Sequence, residues 1–82
     1  MFRKLLETVQ INVDGRAYQT HYFEHRTARG VRRYSCEVVL TAADRIILDD
    51  DSLTSLEAKL ARLVPATIYS RALAAGRSVA AA

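Results

Sequence analysis

Two periodicities divide the chain. Over residues 8–13 and 34–40, apolar side chains recur at every second position. From Ser52 onward they recur at steps of three and four. The first pattern belongs to strands with one buried face, the second to an amphipathic helix. Residues 8–13 alternate strictly, with Val9, Ile11 and Val13 on one side. Asp14-Gly15 follows, a dipeptide that accepts the positive φ angles of a two-residue type I′ turn. Residues 17–23, rich in aromatic and β-branched side chains, supply a second strand. Residues 26–30 form a polar turn ending in Gly30. Residues 34–40 alternate again, with Tyr34, Cys36, Val38 and Leu40 on one side. After a turn at 41–44, residues 45–48 make a short fourth strand.

Asp49, Asp50, Asp51 and Ser52 offer N-capping side chains and negative charge at the positive end of a helix. Thr54 with Glu57 is an alternative capping box one turn later. Leu53, Leu56, Leu60 and Leu63 then form one stripe. Pro65 lacks a backbone N–H and biases Val64 away from helical geometry, so a second helix is expected to begin at Pro65. Ile68, Ala72 and Ala75 continue its apolar side. A single kinked helix over about 52–75 is the competing arrangement. Gly76 ends the helical pattern, and residues 77–82 read as a disordered tail.

Val9, Ile11, Val13, Tyr18, Tyr22, Tyr34, Cys36, Val38 and Leu40 share one sheet face that needs a cover. The leucine stripe is the apolar surface available to supply it. The expected fold is α+β: an antiparallel meander of three to four strands packed on one or two C-terminal helices, a two-layer sandwich. Residues 1–76 form its single domain. Gln10, Asn12, Gln19, His21, Arg33, Ser35 and Glu37 occupy the other face, which is either solvated or a binding surface. Centring the second turn on Ala28 sets Tyr22 opposite Tyr34 and Thr20 opposite Cys36. Shifting the register by one residue sets His21 opposite Cys36 instead. The first register gives the cleaner apolar face and is preferred.

Composition narrows the class. Of 82 residues, 22 are Leu, Ile, Val or Phe, enough for a core in one small domain. Such a chain buries only about 60% of its unfolded surface and is marginal alone. One cysteine, Cys36, rules out an internal disulfide. Residues 1–6 begin like a signal peptide, but Glu7 and Thr8 end the apolar run. With no 18-residue apolar stretch, no membrane partner is expected, and a cytoplasmic protein is the expectation.

Few residues suggest catalysis. His21-Tyr22-Phe23-Glu24-His25 matches the inverted zincin pattern H-x-x-E-H. That chemistry needs a helix. In a strand the two histidines lie about 13 Å apart, four steps of about 3.3 Å, and cannot share one zinc. A Cys36–His21 thiolate pair requires the less favoured register, so Cys36 is expected to be a small buried hydrophobe. Asp44, Asp49, Asp50 and Asp51 lack the glycine and final glutamate of a calcium loop. Phosphate-loop, dinucleotide and nucleophile-elbow motifs are missing. The expectation is therefore a non-enzymatic protein with no cofactor, no metal site, no catalytic residues and no small-molecule substrate.

Charge points to one alternative. Residues 1–43 carry net +3, residues 44–57 net −4 and residues 58–82 net +4. Arg26, Arg29, Arg32 and Arg33 cluster around the second hairpin, a basic tip suited to phosphate contact beside Tyr and Phe rings. Arg29-Gly30-Val31-Arg32, a strand, Arg45-Ile46-Ile47-Leu48 and an Asp51-Ser52 helix start resemble the integrase N-terminal type of DNA-binding domain. That resemblance spans about residues 29–64, lacks the family's tryptophans and leaves residues 1–25 outside. It implies three strands on one helix with the sheet in the major groove of DNA. A meander followed by an Asp-Ser-Leu helix also resembles HicB-type antitoxins. The leading expectation is a small interaction or regulatory protein that binds a protein partner or forms a homo-oligomer. The alternative is a DNA- or RNA-binding module using Arg26, Arg29, Arg32 and Arg33, with Arg16 and Arg45 nearby.

Overall fold

The computed structural model describes residues 3–76. It contains β1 (Arg3–Val13), β2 (Arg16–Arg26), β3 (Arg32–Thr41), β4 (Asp44–Asp50) and α1 (Leu53–Ala74). The strands form one antiparallel sheet in the order β1-β2-β3-β4. The helix packs on one side of it, the expected α+β two-layer arrangement. Met1, Phe2 and the expected tail at 77–82 lie outside the described residues.

The first hairpin turns at Asp14 and Gly15, with φ of 52° and 81°. Both positive angles are what a type I′ turn demands. β1 runs back to Arg3, beyond the expected start at residue 8. A bulge between Leu5 and Glu7 hides that extension, because Leu6 is the extra residue and reverses the alternation before it. Arg3 and Leu5 consequently face the side opposite Val9 and Ile11.

The second hairpin corrects the register. Tyr22 pairs with Cys36, Thr20 with Val38 and His21 with Glu37. Neither Tyr34 opposite Tyr22 nor Cys36 opposite His21 occurs. The loop centres one residue later than expected. Gly30 N donates to Thr27 O at 2.9 Å, and Thr27 N donates to Val31 O at 2.9 Å. Gly30 has φ 81°, so a turn over 27–30 ends in a left-handed residue. The slip preserves parity, and the expected apolar face survives it.

That face holds the core. Tyr18, Tyr22, Cys36, Val38, Ile46, Leu56, Leu60 and Val64 form one buried cluster, with Val9, Ile11, Val13, Tyr34, Leu40, Leu48 and Ile68 packed around it. Thr20 is wholly buried among them, and its Oγ1 has no hydrogen-bond partner among the described residues. A buried hydroxyl without a partner loses its hydration uncompensated.

α1 is one helix, so the expected break at Pro65 is absent. Pro65 sits on the exposed side, where the Ala61 carbonyl it leaves free can meet water. Val64, expected to leave the helix, is fully buried. Ala75 caps the helix C-terminus and is exposed, so it does not extend the stripe. At the other end Ser52 is the N-cap: Ser55 N donates to its Oγ at 3.1 Å. α1 runs over β3 and β4. Lys59 donates to the Asp49 carbonyl at 2.8 Å and pairs with Asp50 at 3.4 Å. Arg71 pairs with Asp44 at 2.6 Å. These bonds tie both halves of the helix to β4. Among the described residues no helix is long and apolar enough to cross a membrane.

Pro65→Ala is expected to raise stability by about 1–3 kcal/mol in denaturant titration, since it restores an internal helical bond. A loss would instead mark Pro65 as a helix start. Thr20→Val, which keeps the shape and removes the unpaired hydroxyl, is expected to gain about 1 kcal/mol in the same titration. A loss of that size would mean the hydroxyl is hydrogen-bonded in solution.

Candidate functional site

The sheet face away from α1 carries Thr8, Gln10, Asn12, Gln19, His21, Phe23, Arg33, Ser35, Glu37, Arg45 and Asp49. Its centre is Glu37 on β3, only 6% exposed although no second layer among the described residues covers it. Arginines cover it instead. Arg3 reaches from β1 across β2, its guanidinium 4.1 Å from the Phe23 ring centroid, and donates to Glu37 Oε2. Arg45 reaches from β4 and donates to Oε1 at 2.8 Å. One carboxylate thus joins both edge strands to the third strand. The hydrogen bond from Arg3 holds the Glu37 carboxyl below its ordinary range, with Arg45 adding to the effect against the opposing cost of burial. Both arginines remain about half exposed, so water screens the pair. Beside this clamp, Thr8 Oγ1 and His21 Nδ1 lie 2.8 Å apart.

The four hairpin arginines do not form one patch. Arg26 and Arg32 alternate onto the helix side of the sheet, Arg33 faces the opposite side, and Arg29 stands in the loop. Arg26 donates to the Gly30 carbonyl at 3.0 Å and so braces its own loop. Arg33 pairs with Asp49 at 2.7 Å, and Arg32 approaches Glu24 at 3.8 Å. Arg3, His25, Arg26 and Thr27 line a depression of about 430 Å³ at the hairpin end of the sheet. Arg16 lies at the opposite end, beside Tyr18 and Arg71.

The chemical candidates separate as well. His21 and His25 are in β2 rather than a helix. Cys36 is fully buried on the opposite face from His21, and burial raises its thiol pKa. Asp44, Asp49 and Asp50 are paired with Arg71, Arg33 and Lys59. Among the described residues, no group of three His, Cys, Asp or Glu side chains converges to hold a metal ion.

The helix side of β1 is apolar, as its alternation indicates, but it lies at the margin of the core. Val9, Ile11 and Val13 point toward the core yet stay only partly buried, because α1 lies over β3 and β4. Leu6, at the bulge, is 36% exposed. The alternation marks Val9, Ile11 and Val13 as core-facing but not their residual exposure, which depends on where one helix settles. The chain matches no protein-family model, no curated protein and no solved structure.

Glu37→Gln is expected to lower stability by about 1–2 kcal/mol at neutral pH, the worth of charge-assisted hydrogen bonds at a partly screened site. Because the folded carboxyl titrates below its unfolded value, its contribution is complete above the ordinary glutamate range. It is lost as pH falls through that range toward the folded value. Denaturation between about pH 6 and pH 3 should show a stability loss in the native protein that is smaller in Glu37→Gln. Equal pH dependence in both would contradict the clamp.

Proposed function

We propose that this is a small non-enzymatic interaction or regulatory protein that works through self-association, with edge strand β1, whose helix-side residues are only partly buried, at the contact. One observation carries the reading: among the described residues a single helix serves four strands. A helix with its side chains is about 10–12 Å across. Four strands spaced at about 4.8 Å present roughly 19 Å of width. α1 therefore covers β3 and β4 and leaves the apolar side of β1 at the margin of the core, with Val9, Ile11 and Val13 partly buried. A second copy set against β1 can add burial at Val9 and Ile11 in both molecules at once, since a two-fold contact uses the same patch twice. For a small domain with a marginal core, such burial adds to folding stability.

The nucleic-acid alternative has less support. Three of its four arginines are engaged with acceptors of the chain itself, and the four are divided between the two faces and the loop.

Light scattering coupled to gel filtration tests the reading. At micromolar concentration the mass is expected to be twice the 9.2 kDa of the chain. A folded monomer at every concentration tried would overturn it.

A further inference from the structure

We infer that two copies join edge to edge through residues 7–13 of β1, paired antiparallel about a two-fold axis at Gln10, to make one continuous eight-stranded sheet. This inference rests on the self-association proposed above and adds its geometry.

The two free edges of the sheet are unlike. β4 is seven residues long and carries Asp44, Arg45, Asp49 and Asp50. Helix side chains flank its edge, Lys59 on the Asp49 carbonyl and Arg71 on the Asp44 carboxylate. Charge, shortness and cover are the usual protections of an edge strand. β1 has eleven residues, and its first part is protected in the same manner by Arg3, Lys4 and the bulge at Leu6. Residues 7–13 have none of these devices. They contain no proline, no glycine, no bulge and one charge, Glu7.

The hairpin fixes which backbone groups are free. In a two-residue type I′ hairpin the flanking residues, here Val13 and Arg16, exchange both backbone bonds. Bonding then alternates, so Val13, Ile11, Val9 and Glu7 direct their N–H and C=O groups to β2. Thr8, Gln10 and Asn12 direct theirs outward. Antiparallel pairing that uses all of residues 7–13 is centred on Gln10. It sets Gln10 against Gln10 of the second copy, Thr8 against Asn12 and Val9 against Ile11.

Side chains agree with that register on both faces. On the helix side, Val9 and Ile11, both half-buried in one copy, meet as a β-branched cross-strand pair. On the open side, exposed Thr8, Gln10 and Asn12 meet as polar, uncharged neighbours. At the ends Glu7 stands opposite Val13, and Asp14 of one copy falls opposite the bulge residue Leu6 of the other. No like charges stand directly opposite within the seven-residue pairing.

Amide hydrogen exchange on the native protein, read residue by residue with light scattering at the same concentration, tests the pairing. The expected result is a doubled mass, with the amides of Thr8, Gln10 and Asn12 exchanging as slowly as those of Val9 and Ile11. Gln10→Pro is the matching variant. It deletes only an outward N–H, so the β1–β2 ladder is left intact. Its mass is expected to halve with an unchanged far-ultraviolet dichroism spectrum, and protection at Thr8 and Asn12 to be lost. A doubled mass with fast exchange at Thr8, Gln10 and Asn12 would overturn the edge pairing while leaving self-association standing. A dimeric, folded Gln10→Pro protein would do the same. A monomeric native protein would overturn both. Should Gln10→Pro fail to fold, the exchange pattern of the native protein decides alone.

Discussion

One helix cannot roof four strands, and most of this structure follows from that mismatch of widths. α1 settles over β3 and β4 because the largest buried side chains meet there. Leu56 and Val64 come from the helix and Val38 from the sheet. Lys59 and Arg71 then hold it to β4 through acidic residues near the two ends of that strand. Tyr18 and Tyr22 on β2 have rings long enough to fill the margin and remain buried. Val9, Ile11 and Val13 do not reach so far. A break at Pro65 could have provided two short helices and a wider roof; the continuous helix trades that cover for length.

The uncovered side of the sheet answers a different problem. A sheet without a second layer on one face gains little from burial there, and its edge strands are held by the ladder alone. Glu37 supplies a cross-tie, drawing Arg3 from one edge strand and Arg45 from the other onto one carboxylate. Phe23 under the Arg3 guanidinium shields the contact. Pairs of this sort contribute modestly to stability because water reaches the arginines. Their geometric effect is larger: they fix Arg3, and with it the first residues of β1, at a point where the bulge has interrupted the regular ladder.

Local chemistry was legible in the sequence, and long-range placement was not. Asp14-Gly15 and Ser52 act within a few residues of themselves, so the I′ turn and the N-cap follow from residue type. The alternation at 8–13 and 34–40 marked the buried face correctly, because parity survives an even slip in register. The register itself depended on which residue of the 27–31 loop adopts the left-handed conformation, and Gly30 moved the centre by one. The bulge at Leu6 disguised the first strand turn by turn. Pro65 carried a local signal to break the helix that burial of Val64 and Ala72 on the same helix overrode. Glu37 looked like an ordinary exposed acid, since its arginine from β1 lies 34 residues away. The incomplete burial of Val9, Ile11 and Val13 had no sequence mark, being a consequence of helix position.

Methyl-to-methyl nuclear Overhauser contacts measure that helix position most directly. The account expects Leu56, Leu60 and Val64 methyls to contact those of Val38 and Ile46. Val9 should find its intramolecular contacts on β2 and none on the helix. A helix shifted toward the first strand, with Leu60 touching Val9 in the same molecule, would contradict it.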